Sequence, residues 1–502
     1  MALSLGAHAL VPSAPRAVRP SQRWRAGGGD APPSMDESLV EEMKRSLGEE
    51  VRSPVEIAEA EAKSVMSGLR GLQRDPAAAV NSRFREWLEE NGVYLSERSA
   101  WGRAPHPLLL STETTTDGEE SGRGLLAREN FAEGELLMTV PLELCLTKES
   151  AASVFGPEVI TSSMDEFISI ALLLMRERGL GASSRWGPYI DILPTTEEVA
   201  PSFTWPDEDL GLLEGSPSLA AARSLSAKLR SEYAQLEASV FSKRRGEFPA
   251  DVYSYEAFEW AFTMLFSRAV RLSSKVGGEA LAMVPYADLF NHEPSSNSYI
   301  DAQKGGVSFL PGAREEVCVY ADRAYKKLEQ VFINYGQKGN AELLLLYGFA
   351  LEGNPYNAYD LTLTLDDNDP LFADKSRFLN NVGRPSRETF PLRADRYPVE
   401  TVEFARFLLA EPGDLRGARL AAVDFAQPLS PGHEARVLDT LVTVAETRLS
   451  RYPTSVEQDE ALLRDRAAFA SMFSRRQRMA VRLRLSEKRI LQRTLAALRQ
   501  EL

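Results

Sequence analysis

Asp288, Asn291 and His292 fall close together in VPYADLFNHEP (284–294), just after the apolar run Leu281, Ala282, Met283, Val284 and Pro285. Polar side chains carried into an apolar setting cost free energy unless each finds a partner. An aspartate offers acceptors, an asparagine offers both donor and acceptor, and a histidine offers one of each. Such a trio fits a ligand with directional polar groups, and it equally fits a polar tie between two segments of the chain. Two more segments invite chemistry. In EQVFINYGQKGNAELLLLYGF, Tyr335 ends a strand-like run, Gly336 permits a turn, and Tyr347 and Phe349 close a helix-like one. In SGRGLLA, glycines flank Arg123; glycine lets a backbone approach a ligand closely, and a tight hairpin explains it as well.

Other chemistries are excluded by composition. The chain has 502 residues, enough for two or three domains on the usual size range. It contains two cysteines, Cys145 and Cys318, and four scattered histidines. A disulfide framework and a Cys-rich zinc cluster are therefore ruled out, and no metal site is expected. The formal net charge is −14, so no nucleic-acid groove is expected, because phosphate binding needs a basic footprint. No apolar run approaches the roughly 20 residues of a membrane span.

The elements that must position these residues are legible in outline. The first 29 residues carry Arg16, Arg19, Arg23 and Arg25 but no Asp or Glu, and read as an organelle transit peptide, assigned to 1–34. Residues 36–75 are charged and helix-prone, within a helical N-terminal extension, 35–80. A helix is predicted to open at Asn81, with Phe84, Trp87 and Leu88 on one face and Gly92 at its end. Short strands with turn glycines follow from Gly122 to Leu146. SSMDEFISIALLLMRERG predicts a helix with a Ser163–Glu166 capping box and Gly179 at its end. SYEAFEWAFTMLFSRAVRL predicts another. Strands are expected at 281–286, 316–321 and 330–335, then helix NAELLLLYGF. Beyond about 366 the chain reads as helical, with a Thr454–Glu457 capping box. The last helix has Met479, Leu483, Ile490, Leu491, Leu495, Leu498 and Leu502 on one side. Its other side is basic and reads as solvated: Arg475, Arg476, Arg478, Arg482, Arg484, Lys488 and Arg489.

Taken in order, SGRGLLA, ADLFNH and INYG resemble the SET domain of protein methyltransferases. WGPYIDILP, FTMLFSRAVRL, NAELLLLYGF and RYPTSVEQDEALL with RRQRMAVRLRLSEKRIL resemble its plastid branch, the Rubisco large-subunit lysine methyltransferase group. The likeness runs over about 81–502. It implies an α+β fold: a β-rich pseudoknotted SET core, 81–365, with a helical insertion at about 150–265. An all-helical substrate-binding domain, 366–502, follows.

The resemblance also implies a function, S-adenosylmethionine-dependent methylation of a protein lysine. Tyr335 matches the catalytic tyrosine. Arg123, Gly124, Leu125, Ser267, Asp288, Asn291 and His292 match cofactor-pocket positions. For His292 a structural tie is the competing role, and for Asp288 a cap. Arg268, Tyr347 and Phe349 match substrate-side positions, with a salt bridge and core packing as the alternatives. The implied partner is a lysine-bearing protein of the chloroplast stroma, such as Rubisco large subunit or fructose-bisphosphate aldolase, with the mitochondrion as second location. Histidine methylation and a non-catalytic scaffold are the rival readings. One departure stands out. The family commonly reads Gly-Glu-Gln before the catalytic strand, and here Leu328-Glu329-Gln330 replaces it. Leucine avoids positive φ, so the turn must differ or carry strain.

Overall fold

The computed structural model describes residues 76–93, 95, 106–274, 278–298, 300–304, 315–415 and 417–501. The expected transit peptide and most of the N-terminal extension lie outside these residues. The described chain divides into two compact units, 76–204 with 225–337, and 205–224 with 338–501.

The first unit opens with helix α1 (Pro76–Glu90), earlier than the expected start at Asn81. Its Phe84, Trp87 and Leu88 are buried, and Gly92 at φ +90° ends the turn beyond it. Strands β1 (Leu108–Thr116) and β2 (Glu119–Ala127) form an antiparallel hairpin. The reading that strands begin near Gly122 missed β1. The signal was present: Asp117-Gly118, both at positive φ, is the dipeptide that a two-residue hairpin turn requires. Strands β3 (Leu136–Pro141), β4 (Leu146–Thr147), β5 (Val270–Ser274), β6 (Gly278–Met283), β7 (Asn291–His292), β8 (Asp301–Lys304), β9 (Glu315–Tyr320) and β10 (Gln330–Ile333) follow. They assemble into three small sheets, ordered β1-β2-β10-β7, β3-β9-β8 and β4-β6-β5.

Between β4 and β5 in sequence run α2 (Lys148–Phe155), α3 (Glu166–Leu180), α4 (Pro217–Leu236) and α5 (Tyr255–Arg268). The cap of α3 corrects the expected one. Asp165, not Ser163, accepts from the Phe167 and Ile168 amides, and Gly181 rather than Gly179 ends the helix. A carboxylate directly before the first turn takes precedence because it is an acceptor beside the positive end of the helix. The second helix is also shorter than its pattern. Ala269 leaves helical geometry and Val270–Ser274 pair with β6 instead. Ile170–Met175 are buried, which accounts for their unbroken apolar run.

The second unit is mostly helical. One hairpin, β11 (Ala358–Thr364) with β12 (Arg387–Arg393), is the element its helical pattern did not reveal. Helices α6 (Phe372–Asn381), α7 (Val399–Leu409), α8 (Pro431–Leu449), α9 (Val456–Arg464), α10 (Arg466–Met472) and α11 (Arg475–Glu501) complete it. The cap of α9 is Ser455 with Gln458, one residue later than the expected pair. Thr454 instead donates its hydroxyl to Asp459 at 2.8 Å.

The expected solvated basic face of α11 is the largest correction. Arg484 and Lys488 are fully buried. They share one helical stripe with Leu491, Leu495 and Leu498, at spacings of three and four. Buried Asp459 faces both, at 3.4 Å from Arg484 and 2.7 Å from Lys488. Lys488 also donates to the Thr454 and Ser455 carbonyls. Neighbouring Glu487 accepts from the Ser216 and Tyr452 hydroxyls at 2.9 and 2.8 Å. Periodicity placed these charges on the core side, and partners from other elements made that tolerable. Removing one partner of such a group costs about 3–5 kcal/mol.

Burial pushes the Glu487 carboxyl up to about 7. A carboxyl raised in the folded chain is held protonated by folding. Its contribution is therefore fullest below its ordinary value and is lost as pH rises through about 7. Thermal unfolding from pH 5 to pH 8 should show a fall in the wild-type midpoint that Glu487→Gln largely removes. Equal pH slopes for the two proteins would assign the titration to another group.

Candidate active site

Strand β7 is two residues long and cannot hold itself. It lies parallel to β10, with Asn291 beside Phe332 and His292 beside Ile333. Beyond β10 the chain crosses back over it. The Tyr335 amide donates to His292 Nδ1 at 3.1 Å, and the two rings stack with centroids 4.9 Å apart. The Tyr335 hydroxyl donates to the Phe290 carbonyl at 2.6 Å. Asn334 Nδ2 reaches the Pro294 and Ser296 carbonyls, and Asn334 Oδ1 accepts from the Gly336 amide. His292 thus ties the crossing with its ring. Its Nδ1 is an acceptor, so the neutral ring carries its proton on Nε2.

Asn291 faces β2. Its Nδ2 donates to Thr114 Oγ1 at 3.0 Å and approaches the Arg123 carbonyl at 3.4 Å. Gly124 makes this possible. A Cβ there would stand 2.7 Å from both Asn291 Nδ2 and Thr114 Cγ2. This glycine is thus required by an internal approach of strands. Leu125 is fully buried, and the Arg123 guanidinium is held by Asn81 Oδ1 and the Ile192 carbonyl.

The turn before β7 is strained. Tyr286 has φ +75° while its ring is buried near His106 and Phe84. The Asp288 amide then reaches back to the Val284 carbonyl at 3.1 Å. Asp288 is buried and accepts from the Tyr189 hydroxyl at 2.7 Å. Arg268, at the end of α5, donates to the Asp288 carbonyl at 2.9 Å and lies 3.6 Å from its carboxylate. The salt bridge weighed for Arg268 is therefore present, whereas the cap weighed for Asp288 is not, because its carboxylate turns to Tyr189 and Arg268 and the 287–289 turn has no side-chain cap. Burial raises the Asp288 carboxyl, against the Arg268 charge. Asp288 Oδ1 is buried with no hydrogen-bond partner. The Tyr335 hydroxyl is pushed up to about 12 by burial, partly offset by Arg268. It is a neutral phenol at physiological pH. Ser267 spends its hydroxyl on the Thr263 carbonyl of its own helix at 2.7 Å.

The structure thus brings Arg123, Gly124, Leu125, Arg268, Asp288, Asn291, His292 and Tyr335 into one set of linked contacts, with Ser267 adjoining Arg268. Tyr347 and Phe349 lie in the second unit, Tyr347 ending a π-turn (Leu343–Tyr347) that follows a short helix (Asn340–Glu342) and Phe349 just beyond it. Their rings are 6.2 Å apart and edge-on. Phe349 also packs on a core containing Trp205 and Met479. Sequence reasoning missed Thr114 and Tyr189. WGPYIDILP was noticed for its resemblance, but nothing local marks its tyrosine as the partner of Asp288.

A family model described as SET domain matches residues 122–336, and one described as Rubisco LSMT substrate-binding matches residues 366–491. The chain thus carries a SET domain followed by a Rubisco LSMT substrate-binding domain. Among its relatives is the chloroplastic [fructose-bisphosphate aldolase]-lysine N-methyltransferase of Arabidopsis thaliana. It is 29% identical over 424 residues, 82% of this chain and 81% of that protein. The chloroplastic ribulose-1,5 bisphosphate carboxylase/oxygenase large subunit N-methyltransferase of Pisum sativum is 28% identical over 442 residues, 86% and 83% of the two chains. A crystal structure of the SET domain of LSMT bound to lysine and AdoHcy superimposes with a TM-score of 0.72. It is 26% identical and covers 85% of this chain and 92% of that one.

The residues present fit an S-adenosyl ligand. The Asn291 carboxamide, its Nδ2 directed to Thr114 and the Arg123 carbonyl, offers its oxygen as an acceptor at a strand junction. The unpartnered Asp288 oxygen is an acceptor of the kind an ammonium or amine satisfies. Gly124→Ala should force Asn291 and Thr114 apart, costing about 1–3 kcal/mol as overpacking does. Chemical denaturation checks this, and an unchanged midpoint would mean the strands give way freely.

Proposed function

We propose that this chain transfers methyl groups from S-adenosylmethionine to the side-chain nitrogen of a lysine in a protein substrate. The observation that carries the reading is the crossing at Tyr335, where both family motifs meet through the His292 ring and the Phe290 carbonyl. When bound, the cofactor supplies a sulfonium-activated methyl, which passes to nitrogen while the carbon–sulfur electron pair leaves with sulfur.

The protein positions the groups. The backbone around Arg123, Gly124 and Leu125, with Ser267, Asp288, Asn291 and His292, holds the cofactor. Asn291 meets the adenine and methionine portions together with the His292 backbone. Tyr335, protonated and donating to the Phe290 carbonyl, orients the amine by accepting a hydrogen bond from it and does not act as a phenolate base. A lysine has an ordinary pKa of about 10.4, so it must lose its proton on entry. Burial and a nearby sulfonium both disfavour the ammonium and supply that shift. Alignment of nitrogen, methyl and sulfur then provides much of the rate. Arg268, Tyr347 and Phe349 are assigned to the substrate side from their motifs.

The domain limits proposed are 1–34 for a transit peptide, 35–80 for an extension, 81–365 for the SET domain and 366–502 for the substrate-binding domain. The names of chloroplastic relatives support a plastid location, and the stroma is the compartment proposed. Rubisco large subunit and fructose-bisphosphate aldolase are the substrates to try first. No nucleic acid or metal enters the scheme. Among the described residues no helix is long and apolar enough to cross a membrane.

Protein lacking residues 1–34, methyl-labelled S-adenosylmethionine and stromal extract should yield a labelled protein with the label on lysine. Tyr335→Phe should lose most turnover and keep cofactor binding; equal turnover would remove Tyr335 from the chemistry. Label on histidine would favour the rival specificity, and no label despite cofactor binding would favour a scaffold. Asn291→Ala should weaken cofactor binding by more than about 1 kcal/mol, the scale of a lost buried hydrogen bond, as read by calorimetry. Unchanged affinity would place Asn291 outside the cofactor site.

A further inference from the structure

Tyr189 enters the site from the short helix Gly187–Ile190. A single helical turn has little stability of its own, so its place is set by its anchors. Trp87 on α1 donates its indole N–H to the Arg185 carbonyl at 2.9 Å, and Trp186 donates its own to the Leu144 carbonyl at 2.9 Å. The Arg123 guanidinium holds the Ile192 carbonyl at 3.0 Å. Phe84 of α1 stacks on Tyr189 with ring centroids 6.3 Å apart. Tyr189 is fully buried, and its hydroxyl is thereby delivered to Asp288 Oδ2, to which it donates at 2.7 Å. Segment 186–192 is thus tied both to β2 and to the turn before β7.

This contact makes the two oxygens of Asp288 unequal. Oδ2 accepts from Tyr189 and lies 3.6 Å from the Arg268 guanidinium, while Oδ1 is buried with no hydrogen-bond partner among the described residues. Arg268 is oriented separately, by its bond to the Asp288 carbonyl at 2.9 Å. A buried acceptor left open is costly, and that cost is relieved only when a donor arrives. Ionisable groups face Asp288 from several elements: Tyr189 from its short helix, Arg268 from α5, Cys145 from before β4 and Tyr335 from beyond β10. Burial raises the Asp288 carboxyl most, and Arg268 and then the Tyr189 hydrogen bond pull it back. Burial pushes the Cys145 thiol and the Tyr335 phenol up, so both are neutral.

We propose that Tyr189 is a positioning residue: by engaging Asp288 Oδ2 it leaves Oδ1 as the carboxyl oxygen that receives the ammonium of a bound molecule. Its hydroxyl also favours the charged form, so the carboxyl ionises to meet that ammonium at a lower pH than burial would otherwise allow. Two ammoniums belong to the proposed reaction, the amino group on the methionine portion of the cofactor and the side chain of the lysine as it enters. The inference rests on the function proposed above and adds to it a residue that touches neither molecule.

The test reads affinity by calorimetry from pH 6 to pH 8.5 for wild type, Tyr189→Phe, Asp288→Asn and the double variant, with thermal unfolding of each. The probes are S-adenosylhomocysteine, which carries the amino group, methylthioadenosine, which lacks it, and a lysine peptide offered with S-adenosylhomocysteine bound. Loss of the Tyr189 hydroxyl raises the Asp288 carboxyl further, so the variant loses its carboxylate at a pH where wild type keeps it. Tyr189→Phe should therefore weaken the ammonium-bearing probe at least fivefold at pH 6.5 and less than twofold at pH 8.5. Titration of the probe cancels in this ratio. In the Asp288→Asn background the same change should cost less than twofold, because Tyr189 acts through the carboxyl. Fluorotyrosine incorporated at Tyr189, a stronger donor of nearly the same size, should shift the pH dependence the opposite way. A loss for S-adenosylhomocysteine but not for methylthioadenosine assigns the ammonium to the cofactor, and a loss for the peptide alone assigns it to the lysine. A deficit equal at every pH, or undiminished in the Asp288→Asn background, makes Tyr189 a packing residue and overturns the proposal. Equal affinities of wild type and Tyr189→Phe for all three probes overturn it too. Methyl transfer is scored apart, so a wild type that binds with this pH trend and transfers no methyl counts against the chemistry and not against this contact.

Discussion

The structure of the first unit depends on one crossing. Strand β7 has two residues, and its register would slip without outside help. The Tyr335 amide on the His292 ring, the Tyr335 hydroxyl on the Phe290 carbonyl and the Asn334 carboxamide on the 294–296 backbone lock it from one side. Thr114 and the Arg123 carbonyl hold Asn291 from the other. The Asn291 side chain is thereby positioned by strands far apart in the chain. This serves precision because β2 and β10, which supply these contacts, are themselves paired in one sheet.

Buried charge is handled differently in the two units, and the contrast separates structure from function. In the second unit Glu487 accepts two hydroxyls, and Asp459 faces Arg484 and Lys488. In the first, Asp288 accepts one hydroxyl and faces one guanidinium, while its other oxygen has no hydrogen-bond partner among the described residues. A buried acceptor left open costs free energy in the isolated protein and becomes favourable only when a donor arrives. The same burial holds the Tyr335 phenol neutral. The site is thus arranged for hydrogen bonding and alignment, with the Tyr335 phenol neutral and burial raising the Asp288 carboxyl against the Arg268 charge.

Strain marks both ends of the same region. Tyr286 precedes the Asn-His segment and Leu328 precedes β10, and both are non-glycine residues at positive φ. Tyr286 is buried and its ring packing explains why the conformation persists. Leu328 is exposed, and its conformation is imposed by the backbone bonds of the turn around it.

The sequence by itself determined the short-range features. The motifs around Asp288, Asn291, His292 and Tyr335 were legible because each is contiguous, and the apolar stripes of α1 and α11 followed from spacing alone. The Leu-Glu-Gln departure also announced its turn, because only glycine adopts that φ freely. Tertiary structure decided what spacing cannot encode. Tyr189 and Thr114 stand 99 and 177 residues from the partners they serve. The cap of α3 fell to Asp165 through a choice among adjacent acceptors, and Val270–Ser274 left its helix to pair with β6. Arg484 and Lys488 went inward although charge alone would place them in water. Helical period set the stripe, but only partners brought by other elements, Asp459 and the Thr454 and Ser455 carbonyls, could offset the loss of hydration. A single sequence contains those partners without saying that they meet.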